Sequence, residues 1–255
     1  MKLSRLITSD REFREYSKLL KSKIDTDDHL PIVTNGLSGG AGDVFLAESV
    51  KMALECTKSP ILILVSSESE REATAAMLAD EGIDALTYKP RDLVFYNVKA
   101  SHDVDRERLS VLSSVLAGRA RCIISTPDAV MQTTMPKSIL EASSISIAVG
   151  EEHSPEELCR KLTTLGFARC DVVDGKGQFS QRGDILDFWG GESENPVRIE
   201  FFGDEVEVIS IIDPLTGAFI EEIDEISIYP AGNFVTTKER TNKAISMIQD
   251  RKSVV

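Results

Sequence analysis

Hydrophobic and polar residues follow two different patterns along the chain, and the change falls near residue 143. Before this point, short uninterrupted apolar runs alternate with segments in which apolar residues recur at helical spacing. Such runs predict strands buried on both faces, and the segments between them predict amphipathic helices. We therefore expect an α/β domain built on a parallel sheet covered by helices. The predicted strands are PIVTNG, PILILVSS, ALTYKP and RCIISTP.

The helices predicted in this first half carry ordinary end signals. Ser9 is a candidate N-cap for the first of them, and Gly82 is a candidate C-terminal stop for the third. The predicted helices are SDREFREYSKLLKSK, DVFLAESVKMALECT, ESEREATAAMLADEG and DVDRERLSVLSSVLAG.

The second half alternates polar and apolar residues, which predicts an antiparallel sheet with one solvated face. Turns are expected at Gly175, at Gly203–Asp204 and at Pro214–Gly217. SISIAVG is a predicted strand, and the helix that follows it begins behind Ser154. In FSQRGDILDFW the run Leu186-Asp187-Phe188 breaks the alternation, so a bulge or a strand end is expected there.

These patterns predict three segments of chain. Residues 1–143 form the α/β domain, residues 144–229 form an inserted α+β domain, and residues 230–255 return to the first domain. The return segment contains a capped helix, KERTNKAISMIQDRK, that stops shortly before the last residue. We therefore expect the chain to be part of a longer polypeptide.

Charge and composition exclude several classes of function. The 255 residues include 42 acidic and 29 basic side chains, for a net charge of −13. This balance argues against non-specific binding to DNA or to an anionic membrane. The chain has no apolar run long enough for a membrane span and no signal-peptide pattern, which predicts a cytoplasmic location. Its four cysteines and three histidines lack metal-site spacing, so we expect free thiols, no metal, no cofactor and no catalytic triad.

The loop GLSGGAGD is the best candidate for a phosphate-binding site. A P-loop uses backbone N–H groups, a lysine and a hydroxyl to hold phosphates and magnesium. When the motif starts at Gly36, the lysine position falls on Gly42 and the hydroxyl position on Asp43. Gly39 and Gly40 preserve the backbone cradle, but a carboxylate at Asp43 repels phosphate and is also a good N-cap. A structural remnant is therefore favoured over a weak anion site or a working NTPase.

Several motifs together give the chain a resemblance to a known family. These motifs are GLSGGAGD, GQFSQRGDILDFW, VRIEFFGDEVEVISIIDPLTG and ISIYPAGNFVTTKER. They resemble the amino-terminal, UvrB-like module of the bacterial transcription-repair coupling factor, Mfd. The missing P-loop lysine and the missing tyrosine-rich hairpin between Lys89 and Arg121 favour this family over UvrB itself. The resemblance implies a degenerate P-loop or helicase-type domain that carries an inserted domain, while the motor and autoinhibitory domains lie in the remainder of the full-length chain.

The same resemblance implies that the second domain docks UvrA, the damage-recognition ATPase. The positions that match the family's docking residues are Arg182, Arg198 and Phe202, and Glu200 lies between the last two. Because side chains alternate along a strand, residues 198, 200 and 202 should share one face, and Ile199 should lie on the other, in the core. Two plainer interpretations stay open at this point. Phe202 could belong to the core, and the two arginines could form ordinary surface ion pairs.

The sequence thus predicts a non-catalytic protein-interaction module that recruits UvrA. The first alternative is a P-loop ATPase or helicase domain of a UvrB-like repair protein, and the second is a DNA-binding fragment. The acidic run EEIDE, Glu221 to Glu225, fits a solvated strand edge better than a metal site. Trp189 is expected to pack under the following loop, GGESENP.

Overall fold

The computed structural model describes residues 7–26, 28–37, 39–91, 102–232 and 246. The chain forms two compact units. The first contains Met1–Asp92 and Ser114–Gln132, and the second contains Leu93–Ser113 and Thr133–Val255. The predicted boundaries at residues 143 and 229 remain predictions, and most of the return segment 230–255 lies outside the described residues.

The elements up to residue 131 alternate helix and strand. They are α1 (Arg11–Thr26), α2 (Gly40–Cys56), β1 (Ile61–Leu64), α3 (Glu68–Asp80), β2 (Leu86–Tyr88), α4 (His102–Leu116), β3 (Cys122–Ser125) and α5 (Pro127–Met131). Strands β1, β3 and β2 form a parallel sheet in that order, as the apolar runs predict. The core residues around this sheet include Ala47, Val50, Ile63, Leu78, Cys122 and Ile124.

Two predictions for residues 9–37 are wrong. PIVTNG is not a strand, because residues 28–37 carry no regular secondary structure and the side chains of Leu30 and Val33 are exposed. A run that short buries too little apolar surface to form a strand by itself. The cap of α1 is Asp10 and not Ser9, since the Asp10 carboxylate accepts hydrogen bonds from the backbone N–H groups of Glu12 and Phe13.

Helix α3 shows why the other end signals succeed. The Ser67 hydroxyl accepts a hydrogen bond from the Glu70 backbone N–H at 3.2 Å, and the Glu70 carboxylate accepts one from the Ser66 backbone N–H at 2.9 Å. These bonds satisfy donors that would otherwise be unpaired at the start of the helix. At the other end, Gly82 takes a φ of +75°, a conformation that favours glycine and stops the helix.

The second unit is built on antiparallel strands. Its remaining elements are α6 (Lys137–Ser143), β4 (Ile145–Ala148), α7 (Pro155–Thr164), β5 (Ala168–Arg169), β6 (Gln178–Arg182), β7 (Ile185–Trp189), β8 (Val197–Phe202), β9 (Glu205–Ile212), β10 (Phe219–Glu222) and β11 (Glu225–Ile228). Six strands form one sheet in the order β10-β9-β8-β7-β6-β5, and β11 pairs with β4. Only the β5–β6 pair of the six-stranded sheet is parallel.

Helix α7 packs against one face of the six-stranded sheet, which we call the core face. Leu158 and Leu162 are buried on the helix, and the thiol of Cys159 donates to the Gln181 side-chain carbonyl at 3.2 Å. The rings of Phe167 and Phe188 meet edge to face at 6.3 Å. The core face carries Phe179, Leu186, Phe188, Val197, Ile199, Phe201 and Ile209.

The run Leu186-Asp187-Phe188 marks neither a bulge nor a strand end, because it lies inside β7 and pairs with β6 without a register shift. Strands β6 and β7 form a hairpin in which Arg182 pairs with Ile185, so Gly183 and Asp184 form the turn. Gly183 takes a φ of +61°, which glycine adopts at little cost. This turn fixes the register that places Asp187 opposite Ser180 on β6 and Arg198 on β8.

Three smaller predictions agree with the structure. Glu221 and Glu222 are exposed on β10, the strand at one edge of the six-stranded sheet. The indole N–H of Trp189 donates to the Ser193 carbonyl at 3.2 Å, so this side chain does contact the loop that follows it. The four cysteines are free. None of the helices in the described parts of the chain is long and apolar enough to cross a membrane.

Candidate protein-interaction site

The face of the six-stranded sheet opposite α7, which we call the polar face, presents an exposed phenylalanine. Strand β8 alternates as predicted, with Ile199 buried on the core face. Phe201 is 5% exposed, whereas its neighbour Phe202 is 78% exposed. The interpretation of Phe202 as a core residue is therefore wrong. Other residues on the polar face in the centre of the sheet include Ser180, Arg182, Ile185, Asp187, Arg198, Glu200, Val208 and Ser210.

A buried carboxylate holds two arginines on this face. Arg198 donates from Nε to Oδ1 of Asp187 at 2.7 Å and from Nη2 to Oδ2 at 2.9 Å. Arg182 donates from Nη2 to the same Oδ2 at 3.4 Å. We call these three residues the Arg–Asp–Arg cluster. Its net charge is +1, and the planar fork of Arg198 matches the carboxylate geometry.

Cross-strand register explains how the cluster forms. Asp187 lies directly opposite Arg198, and the short side chains of Ser180 and Ser210 continue the same row on the neighbouring strands. Arg182 lies two pairs further along β6, where a long side chain reaches a diagonal neighbour. The three residues are separated in sequence, but the two hairpins between them return the chain to the same place and so bring their side chains together.

The interpretation as an ordinary surface ion pair is wrong for Arg198. It holds for Arg182, whose side chain is 60% exposed and lies 3.4 Å from Asp187. The Asp187 side chain is only 6% exposed, and that of Arg198 is 24% exposed. Hydrogen bonding to Asp187 raises the pKa of Arg198, which is the expected effect of a fixed negative partner. Removing Arg198 would leave the nearly buried Asp187 carboxylate with only the longer contact to Arg182. Loss of one partner from a buried ion pair is strongly destabilising.

The four predicted docking residues therefore differ in accessibility. Arg182 is 60% exposed, and Glu200 and Phe202 are also exposed, whereas Arg198 is partly covered and committed to Asp187. Glu200 pairs with Ile185, which in turn pairs with Arg182, so these residues form a second row on the polar face. The arrangement offers a partner an aromatic anchor beside fixed guanidinium groups.

Asp187 is the residue of this surface that the sequence analysis missed. Its acidic side chain stands between two core residues, Leu186 and Phe188, where alternation alone gives no role to a carboxylate. The signal that could have found it is a carboxylate between two apolar residues, read together with two arginines on flanking strands.

The glycine-rich loop of the first unit has a different geometry. Gly36 and Gly39 take φ values of +83° and +54°, and α2 begins at Gly40 with Gly39 as its N-cap residue. The Gly42 backbone N–H donates to the Gly39 carbonyl at 3.0 Å, so this donor of the proposed cradle is already used. Asp43 is exposed in the first helical turn and is not the N-cap, contrary to the prediction.

Comparison with known proteins identifies part of the chain. The family model described as UvrB interaction domain matches residues 145–234, which include the whole six-stranded sheet. Residues 145–234 are therefore similar in sequence to the UvrB interaction domain family.

Curated relatives extend the similarity beyond the UvrB interaction domain. The UvrABC system protein B of Synechocystis is 35% identical over 58% of this chain and 22% of its own length. The protein of the same name from Thermotoga neapolitana is 34% identical over 60% of this chain and 23% of its own. The transcription-repair-coupling factor of Bacillus subtilis is 30% identical over 84% of this chain, but over only 18% of its own. The chain thus spans about a fifth of the length of these relatives. The matches confirm the resemblance to UvrB and the coupling factor that the sequence motifs indicate.

Proposed function

We propose that this chain is a non-catalytic module of a transcription-repair coupling factor that binds UvrA through the polar face of its UvrB interaction domain. The observation that carries the proposal is the 78% exposure of Phe202 on the same face as the Arg–Asp–Arg cluster. The match to the Bacillus subtilis coupling factor over 84% of the chain favours a coupling factor over UvrB, whose matches cover about 60%.

The chemistry of this face fits a protein partner. Aromatic residues and arginines dominate the energetics of protein interfaces because they combine apolar area with directed hydrogen bonds. Phe202 would fill an apolar pocket of the partner and exclude water around the guanidinium groups. Arg182 would then pair with a partner carboxylate, since most of its side chain is free to do so.

A binding assay tests this proposal directly. The 255-residue chain should bind purified UvrA, and the double variant Arg182→Ala, Phe202→Ala should bind at least about thirtyfold more weakly. Met131→Ala, which truncates a strongly exposed side chain of the first unit, is the matched control and should bind as the parent does. Equal binding by the parent and the double variant would contradict the proposal.

We further propose that the loop at Gly36–Asp43 is a degenerate P-loop that does not support nucleotide hydrolysis. Three observations support this: Gly42 stands at the lysine position, Asp43 adds a negative charge, and residues 28–37 form no strand before the helix. Titration calorimetry with millimolar Mg-ATP should give no measurable binding. A dissociation constant in the low micromolar range would instead favour the alternative, a P-loop ATPase domain of a UvrB-like repair protein.

A further inference from the structure

A second exposed apolar surface lies beside Arg198. It consists of Leu215, in the turn after β9, and Phe219, the first residue of β10, and we call it the turn patch. The two residues are 93% and 64% exposed. Exposed apolar side chains that occur together on a folded surface mark interaction sites more often than isolated ones do.

The strand register places the turn patch on the polar face. Phe219 pairs with Ile212 on β9, and Ser210, two residues earlier on β9, pairs with Arg198. Paired residues share a face, and side chains alternate with a period of two. Phe219 and Arg198 therefore lie on the same face of the sheet.

The turn that carries Leu215 is ordered by its own hydrogen bonds. The Asp213 carboxylate accepts from the Leu215 N–H at 3.0 Å, from the Thr216 N–H at 2.8 Å and from the Thr216 hydroxyl at 2.8 Å. The backbone closes the turn, since the Gly217 N–H donates to the Asp213 carbonyl at 2.8 Å. Leu215 thus projects from a built turn and not from an unsupported loop.

The same turn borders the Arg–Asp–Arg cluster. A β-carbon at Gly217 would lie 4.0 Å from Nη2 of Arg198, so the turn lies beside this guanidinium group. The turn patch therefore borders Arg198 on β8, although strand β9 lies between β10 and β8 in the sheet.

Distances along the sheet show that one partner can cover both regions. Along β8, Phe202 lies six residues, or roughly 20 Å, from the position level with Ile212. Across the sheet, β8 and β10 lie roughly 10 Å apart. An interface of ordinary size buries about 800 Å² on each partner and is about 30 Å wide. Phe202 and the turn patch thus fit at opposite ends of a single interface, with Arg198 between them and Arg182 to one side, on β6.

We propose that the turn patch is a second apolar anchor of the docking face and that UvrA covers it together with Arg182 and Phe202. This inference rests on the proposed function. It assigns the partner surface a central acidic region that faces the arginines, with an apolar pocket at each end. A second copy of this chain fits less well, because Glu221 and Glu222 follow Phe219 on the edge strand and would bring carboxylates together.

The test is the double variant Leu215→Ala, Phe219→Ala in the 255-residue chain. Its affinity for purified UvrA should fall by roughly tenfold or more, while its melting temperature stays close to that of the parent because both side chains are exposed. Met131→Ala again serves as the control for loss of an exposed apolar side chain. Unchanged UvrA affinity of the double variant would overturn the inference.

Measuring Arg182→Ala, Phe202→Ala in the same series separates the two proposals. If that variant binds UvrA weakly and the turn-patch variant binds normally, the inference is wrong and the proposed function stands. If neither variant loses affinity, the proposed function fails as well. Sedimentation of the parent and of the turn-patch variant completes the test, since a dimer that only the parent forms would assign the patch to a second copy and overturn the inference.

Discussion

The glycine-rich loop before α2 and the polar face around β7 and β8 differ in what holds their chemical groups in place. In the loop, Gly36 and Gly39 adopt positive φ values, but no strand precedes them and the only charged side chain, Asp43, is exposed. On the polar face, Asp187 fixes Arg198 through two hydrogen bonds. A motif therefore suggests binding only where the surrounding fold positions the groups that would bind.

A large loss of stability is expected from removing one member of the Arg–Asp–Arg cluster. Arg198→Ala should lower the free energy of unfolding by about 3 kcal/mol, because Asp187 keeps only the longer contact with Arg182. The corresponding change in the loop, Asp43→Ala, should stay within about 0.5 kcal/mol. Urea unfolding of both variants measures the contrast. Equal, small losses of stability in the two variants would show that the cluster stabilises the fold no more than the loop does.

The strand alternation that exposes Phe202 could be predicted from the sequence, because it depends only on neighbours along one strand. Ile199 and Phe201 fall on the core face for the same reason. The role of Asp187 could not be predicted in this way. It depends on register across two hairpins, and that register is set by the turn at Gly183–Asp184.

The failed strand PIVTNG shows the opposite limit. Its three apolar residues satisfy a local pattern, but a strand also needs a neighbour to pair with and a surface to bury against. Residues 28–37 have neither in the described structure, and Val33 is exposed. Runs such as ILIL in β1 succeed because β3 supplies four paired residues and Ile63 packs into the core, although Leu62 and Leu64 on the other face are exposed.

A smaller effect is expected from the turn geometry of the loop. Gly39 combines a φ of +54° with a ψ of −141°, a region that residues with a β-carbon rarely adopt. Gly39→Ala should therefore destabilise the chain by about 1–2 kcal/mol, although no neighbouring atom would clash with the new methyl group. Thermal unfolding checks this prediction. A rise in melting temperature would mean that the loop does not hold this conformation.

The smallest effect concerns the turn that presents Leu215. Hydrogen bonds from Thr216 lower the pKa of Asp213 below its ordinary value of 3.8. A carboxylate whose pKa is lowered in the folded chain contributes stability that is fully present above the unfolded-state pKa. This contribution is lost as the pH falls through the lowered pKa of the folded state. Asp213→Asn should therefore be less stable than the parent at about pH 7, and the gap should narrow by about pH 3. Urea unfolding midpoints at the two pH values test this prediction. A stability difference between variant and parent that does not change with pH would contradict it.

The central claim is that the polar face binds UvrA while the core face supports the fold, and two adjacent phenylalanines test it. Phe201→Ala should lower the free energy of unfolding by about 3–5 kcal/mol. The molecules of this variant that stay folded should keep the parent's affinity for UvrA. Phe202→Ala should leave stability within about 0.5 kcal/mol of the parent and weaken UvrA binding roughly thirtyfold. Thermal unfolding and UvrA affinity of both variants are the measurements that decide. The account is contradicted if Phe202→Ala binds UvrA as the parent does, or if it unfolds as readily as Phe201→Ala.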